Sequence, residues 1–274
     1  MSNKIVLAIP IAGQSKRFNE SGYKTHKAFL DLDSSFILKK IIDQFPREIF
    51  SPIIICTNEQ LIEYEKFFKL LRENFNDLKI FNINSHNLGP TYTVKQLKIN
   101  KNTPIVIHYC DFLVDMNYLE IIDYLQKGLI CAPFFRGFHP ASLGPTTFGY
   151  MKLNPNKLLI TLKEKSSFTN NKIEEPCSTG IYAFPSFKVF SELADELLNA
   201  PHLWGQKEAY TSLCLNIAVE KGYKVLCKEV NKFICLGTPR DYEEYKYWSN
   251  LINVFLSDSV DKYEFNHHII TAAG

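Results

Sequence analysis

Along the first half of the chain short apolar runs alternate with stretches of helical period. Residues 5–11, 53–56, 80–83, 105–109 and 129–134 are continuous enough in Ile, Val and Leu to predict buried strands. Between them the pattern predicts helices over 36–45, 60–75, 93–99 and 116–127. In 60–75 the apolar positions Leu61, Tyr64, Phe67, Phe68, Leu71 and Phe75 fall at three- and four-residue steps. They form one stripe that core packing explains without a ligand. After Phe134 the texture changes to a Gly/Pro/Thr-rich stretch, 137–149, which reads as a loop-rich insertion able to wall a cleft. Strands are expected at 150–153, 158–163, 179–184 and 223–230, and helices at 187–198, 207–221 and from Pro239 to about Phe255.

Strands alternating with helices predict the α/β class: a single Rossmann-like domain whose central sheet is mostly parallel, mixed, and flanked by helices. No internal repeat or low-complexity linker divides the chain. We expect one domain over 1–255, which the change of texture divides into halves over 1–134 and 135–255. Residues 256–274 read as a C-terminal tail without clear periodicity.

Composition narrows the partners. The 274 residues are 46% hydrophobic and 22% charged, enough for a sizeable core. Thirty-one basic against 29 acidic side chains leave a net charge of +2, spread without the basic stripe of a nucleic-acid binder. A small anionic ligand suits this balance better than a polymer. No apolar run approaches the ~20 residues that span a bilayer, and no signal-peptide pattern opens the sequence, so a cytoplasmic protein without a membrane partner is expected. The seven cysteines form no Cys-x-x-Cys pair, and several lie in apolar runs, so reduced buried thiols are expected. Nothing in the pattern fixes the oligomeric state.

The first thirty residues carry the clearest chemistry. The strand 5–11 empties into Ala12-Gly13-Gln14-Ser15-Lys16-Arg17-Phe18, and Lys27 follows before Ala28-Phe29-Leu30. Small residues at Gly13 and Ser15 let backbone N–H groups approach phosphate oxygens, while Lys16, Arg17 and Lys27 neutralise their charge. The loop lacks both the Gly-Lys-Ser/Thr ending and the spaced glycines of the two common nucleotide fingerprints. A second signal is the strand Ile105-Val106-Ile107-His108-Tyr109-Cys110 running into Asp111. A carboxylate there lies where α/β sheets bind ligands, and one Asp suffices for Mg²⁺ if a nucleotide supplies further oxygens. Asp115 suits a helix-capping role better.

These motifs resemble, in order, those of the bacterial sugar-phosphate nucleotidyltransferases, whose fold is GT-A-like. That family opens with Ala-Gly-x-Gly-x-Arg and a lysine about ten residues later; here Ser15 replaces the second glycine. Gly89-Pro90-Thr91-Tyr92-Thr93 is similar to the glycine loop against the base. Glu164-Lys165 is similar to a Glu-Lys pair whose glutamate contacts a sugar hydroxyl and whose lysine contacts the acceptor phosphate, with Ser166 in place of the usual proline. Gly180-Ile181-Tyr182 matches the next strand, and Leu236-Gly237-Thr238-Pro239 a late Gly-Thr-Pro turn. The series covers about residues 5–250. Gly137-Phe138-His139-Pro140 and the Gly-Thr-Pro ending look most like the subgroup tied to capsule or surface-polysaccharide genes. One departure stands out: where the family commonly has a second metal-binding aspartate, this chain has Cys235, a poor ligand for Mg²⁺. Either Asp111 and the phosphates hold the metal alone, or another carboxylate such as Asp241 or Asp115 substitutes, or catalysis is impaired.

The resemblance implies transfer of a nucleoside monophosphate from a nucleoside triphosphate to a sugar 1-phosphate, with pyrophosphate released and Mg²⁺ as cofactor. It assigns Arg17 to the departing phosphates, Lys27 to the α-phosphate, Lys165 to the acceptor phosphate and Asp111 to the metal. Ala12, Gly13, Ser15, Lys16, Gly89 and Thr93 would shape the nucleotide pocket, and Gly149, Glu164 and Gly180 the acceptor site. His139, in the insertion, is a further candidate for acceptor binding, while His26 and His108 read as structural. Three alternatives stay open: a CTP-dependent enzyme acting on phosphocholine or glycerol phosphate, a metal-dependent glycosyltransferase, and a non-catalytic nucleotide-sugar sensor. The glycosyltransferase would usually show Asp-x-Asp where this chain has Cys110-Asp111-Phe112.

Overall fold

The computed structural model describes residues 4–137, 147–204 and 208–259. Its centre is a seven-stranded sheet in the spatial order Val225–Leu226, Ile130–Cys131, Ile181–Phe184, Ile105–His108, Ile5–Pro10, Phe50–Thr57, Lys79–Ile83. All neighbours are parallel except Ile181–Phe184, which runs antiparallel to both strands beside it. The expected mixed, mostly parallel sheet is what forms.

Apart from the edge strand Lys79–Ile83, the sheet is buried on both faces, which is why its inner strands read as unbroken apolar runs. Every residue of Ile5–Pro10 is buried. Ile5, Leu7 and Ile9 pack toward one core with the helices Ile37–Asp43, Glu65–Asn74 and Leu119–Gln126. Val6 and Ala8 face a second core with the helices Phe187–Asn199 and Leu213–Glu220. Each fully buried Phe or Leu in these layers contributes ~1.5–3 kcal/mol of transfer free energy.

Several expected elements are trimmed or split. The helix expected over 60–75 is two, Asn58–Glu63 and Glu65–Asn74, meeting at Tyr64, whose φ of −107° and ψ of 26° are not helical. The strand expected over 129–134 divides: Ile130–Cys131 stays in the main sheet, whereas Phe134–Phe135 crosses into a second sheet. That second, four-stranded antiparallel sheet also holds Leu159–Glu164, Gly149–Leu153 and Cys177–Ser178. The helix expected over 207–221 starts only at Leu213. Asp115 caps no helix, because Phe112–Asp115 pairs as a short ribbon with Lys232–Cys235, and the next helix begins at Leu119. The closing helix runs Pro239–Ser259, longer than expected. Among the described residues no helix is long and apolar enough to cross a membrane.

Candidate active site

The strands Ile5–Pro10 and Ile105–His108 lie side by side and parallel, so the loops leaving their carboxyl ends open onto the same cleft. The second sheet closes it from across. The cleft measures about 410 Å³ and is bordered by the loop from Ala12 to Phe18, by His26 and Lys27, and by Gly89, Thr93, Asp111, Gly149, Glu164, Lys165 and Gly180. Every described site residue expected from sequence therefore meets in one place. His139 lies outside the described residues.

At the floor, Lys27 Nζ donates to Asp111 Oδ2 at 2.6 Å, with side chains 22% and 27% exposed. Burial works against the Lys27 ammonium, yet the adjacent Asp111 carboxylate outweighs it and holds the lysine above its ordinary range. Burial likewise opposes the Asp111 carboxylate, and Lys27 again prevails, holding it below its usual value. Both groups are charged at neutral pH.

The phosphate-type loop is anchored from behind. Ser15 stands at φ 50°, ψ 35°, in the left-handed region, and its Oγ accepts the Lys27 N–H at 3.2 Å. This is the position where a glycine was expected by resemblance, and serine keeps the glycine-like turn at a cost of ~1 kcal/mol. The Gly13 carbonyl accepts from His26 Nε2 at 3.0 Å and Gln60 Nε2 at 3.1 Å. Burial lowers His26 to about 4, so its ring is neutral.

The other walls are equally specific. Gly89 has φ 94°, and a Cβ there would sit 2.8 Å from the Ala209 nitrogen, so only glycine fits. Ala209 is tied to this turn on both sides, its N–H donating to Leu88 O and its carbonyl accepting from Thr91 N–H. Thr93 Oγ1 is 3.0 Å from His86 Nε2. Opposite, Gly149 pairs across the ladder with Glu164, whose Oε2 accepts from Ser212 Oγ at 2.6 Å. Burial raises the Glu164 carboxyl above its ordinary value. Lys165, at φ 53°, turns out of its strand so that Nζ lies 2.6 Å from the Tyr210 hydroxyl and 4.5 Å from its ring centre. Gly180, at φ 95°, is pressed against Phe112, where a Cβ would meet Cε1 at 2.7 Å.

Cys235 lies near Asp111 across the Gly237 turn. A Cβ on Gly237 would lie 3.5 Å from Asp111 Oδ2 and 3.6 Å from Cys235 Sγ, and Leu236 N–H donates to Asp111 O at 2.8 Å. Burial, followed by the Asp241 charge, pushes the Cys235 thiol far up, so it is neutral. Asp241 also borders the cleft, where its Oδ2 accepts from Thr238 Oγ1 at 2.6 Å and from Cys235 Sγ at 3.4 Å. Asp115 sits at the far end of its ribbon, paired with Lys232, away from the cleft. Among the described residues no three metal-ligating side chains converge. The donor set fits an ion that takes most of its oxygens from a nucleotide and one carboxylate from Asp111.

Sequence reasoning missed Tyr210, Ser212, His86 and Gln60. Tyr210 and Ser212 fall in residues read as helix, whereas the helix begins only at Leu213 and Ala209 is bonded to the Gly89 turn. Gln60 carried a local signal, since Thr57-x-x-Gln60 is a capping box and both of its reciprocal bonds form.

A parallel-strand cleft with a cationic small-residue loop, an aspartate across from it and a Glu-Lys pair on the far wall coincides with a match of the Nucleotidyl transferase family over residues 12–250. The chain belongs to the nucleotidyl transferase family. It is thus an enzyme of nucleotidyl transfer. No curated protein matches it by sequence. A nucleoside-diphosphate-sugar pyrophosphorylase from Vibrio cholerae shares the fold with a TM-score of 0.72 at 19% identity, over 87% of this chain and 98% of that one. The inositol-1-phosphate CTP transferase from T. maritima superposes with a TM-score of 0.61 at 13% identity, over 90% and 96%. A UTP-bound UGPase from Acinetobacter baumannii gives 0.68 at 12%, over 95% and 100%. At these identities the likeness speaks for the fold alone.

Proposed function

We propose that this enzyme transfers a nucleoside monophosphate from a nucleoside triphosphate to a sugar 1-phosphate, making an activated sugar for capsule or surface polysaccharide in the cytoplasm. The observation that carries this reading is the facing arrangement of two cationic stations in one cleft. Lys27, beside Asp111, stands at the end of the phosphate-type loop, and Lys165, beside Glu164, stands on the opposite wall. An acceptor phosphate at Lys165 and an α-phosphate at Lys27 suit an in-line displacement. The acceptor oxygen forms a bond to the α-phosphorus as the bond to the bridging oxygen breaks, and pyrophosphate leaves with that electron pair. No protein nucleophile is required, because an ionised phosphate already attacks; the side chains orient two anions and offset their repulsion.

In this reading Arg17 and Lys16 hold the leaving phosphates, and Ala12, Gly13 and Ser15 let the backbone close on them. Gly89 and Thr93 border the base and ribose, while Gly149, Glu164 and Gly180 border the sugar. Asp111 would hold Mg²⁺, which supplies charge neutralisation on the phosphates. Residues 1–134 contribute the nucleotide side and 135–255 most of the acceptor side.

The test is pyrophosphate release with Mg²⁺, crossing the common nucleoside triphosphates with sugar 1-phosphates, phosphocholine, inositol phosphate and glycerol phosphate. Release confined to a sugar 1-phosphate pair, and lost in Asp111→Ala and Lys165→Ala, supports the reading. Release with a non-sugar alcohol phosphate and CTP replaces the acceptor class. Nucleotide binding without turnover across the panel would sink it.

A further inference from the structure

His26 and Gln60 lie behind the loop, buried to 5% and 8% exposure. His26 touches the cleft border and Gln60 lies behind it, and both donate to one atom, the Gly13 carbonyl oxygen, at 3.0 and 3.1 Å. Neither is an accidental contact. Ala28 N–H donates to His26 Nδ1 at 3.2 Å, which leaves the ring hydrogen on Nε2 and makes that nitrogen the donor to Gly13. The Gln60 side chain is saturated: Oε1 accepts Thr57 N–H at 2.9 Å, and Nε2 also donates to Ile11 O at 2.9 Å. The His26 backbone N–H is in turn held by the Tyr64 hydroxyl at 3.1 Å.

We propose that His26 and Gln60 are positioning residues which clamp the Gly13 carbonyl toward the interior and thereby aim the Gln14 amide N–H into the cleft as a phosphate donor. The physical step is peptide planarity. Carbonyl and N–H of a trans peptide point in opposite directions, and no peptide in the described chain is cis. With the Gly13 oxygen drawn down onto two buried donors, the Gln14 N–H faces away from them, toward the exposed surface that Gly13 and Gln14 give to the cleft. Glycine at 13 would otherwise let this peptide flip at little cost, presenting a carbonyl oxygen to an anion. The clamp removes that choice before the ligand arrives. Because His26 also anchors Ala28, it fixes the loop and the turn Lys27–Phe29 as one unit, so the amide and the Lys27 ammonium keep a constant spacing.

This inference rests on the nucleotidyl-transfer reading and deepens it, and pyrophosphate, the leaving group whatever the base, is the probe. Binding of pyrophosphate with Mg²⁺ is measured by calorimetry for the wild type, His26→Ala, His26→Gln and Gln60→Glu, alongside melting temperatures. Gln60→Glu places an oxygen against the Ile11 and Gly13 carbonyls, whereas His26→Gln can keep an amide donor near the Nε2 position. Affinity at least tenfold weaker in His26→Ala and Gln60→Glu, with His26→Gln within threefold of wild type and melting temperatures that do not track the affinity losses, is the expected result. Unchanged affinity in folded Gln60→Glu and His26→Ala overturns the clamp while leaving the transferase reading intact. So does His26→Gln as weak as His26→Ala. If the latter fails to fold, the contrast between His26→Gln and Gln60→Glu decides by the same criteria, and equal affinities refute it. A wild type that binds neither pyrophosphate nor any nucleoside triphosphate overturns the transferase reading and the clamp together.

Discussion

Replacing Lys27 by methionine keeps the length of the side chain and removes the ammonium, which leaves the Asp111 carboxylate without its 2.6 Å partner. At that separation the direct attraction is about 6 kcal/mol for an effective dielectric of 20, but desolvation of both ions offsets most of it. Removing one member of a fully buried pair costs about 3–5 kcal/mol. Here side-chain exposures of 22% and 27% allow water to reach the survivor. We therefore expect Lys27→Met to lower unfolding free energy by about 2 kcal/mol at pH 7, discounted from the fully buried figure. Adding Asp111→Asn should restore much of the loss, since no charge is then stranded. The pH dependence has a definite sign. Asp111 is held below its unfolded value, so its contribution is present above ~3.9 and disappears as pH falls through the folded value. Lys27 is held above its unfolded value, so its contribution persists through neutral pH and fades only as pH rises past ~10.4 toward the folded value. Urea unfolding of the four proteins in EDTA, which keeps divalent cations from replacing the ammonium, gives the coupling energy. A single-variant loss under about 0.5 kcal/mol, or strictly additive losses in the double variant, would refute a charge-paired floor, because neighbours in one network do not add.

Three further outcomes follow from the geometry. Gly89→Ala should lower stability by about 3 kcal/mol or more, since it combines a left-handed backbone with a Cβ 2.8 Å from the Ala209 nitrogen; an unchanged melting temperature would contradict the packing. Cys235→Asp adds a hard oxygen next to Asp111 but faces Asp241, so the variant should melt lower in EDTA and gain more from Mg²⁺ than wild type does. An equal Mg²⁺ shift in both proteins would show that position 235 lies outside the metal's reach. His26 and His108 are lowered by burial to about 4, so the unfolded chain takes up protons that the folded one refuses. Stability should fall as pH drops from 6.5 toward 4.5, by about 2–3 kcal/mol per histidine, and a urea midpoint flat across that window would refute their neutral burial.

Local signals made much of this protein legible. Ile5–Pro10 and Ile105–His108 are buried on both faces, so composition alone marked them as inner parallel strands, and inner strands deliver the residues that follow to one edge. That is why Gly13, Lys27 and Asp111 were recognisable as cleft residues. Glu164 and Lys165 were legible only through the resemblance, because a Lys-Glu-Lys run carries no local mark of burial. Tertiary contact decided the rest. The partner of Asp111 depends on a contact between residues 84 positions apart, and Tyr210, which meets Lys165, follows an Ala209 bonded to the Gly89 turn and precedes a helix that begins only at Leu213. His26 looked structural beside its neighbours, and its hold on Gly13 emerges when the helix start at Thr57 brings Gln60 to the same oxygen. Hydrophobic period is written along the chain and determines which segments are buried. Which polar groups meet is settled by the three-dimensional closure of loops that carry no period of their own.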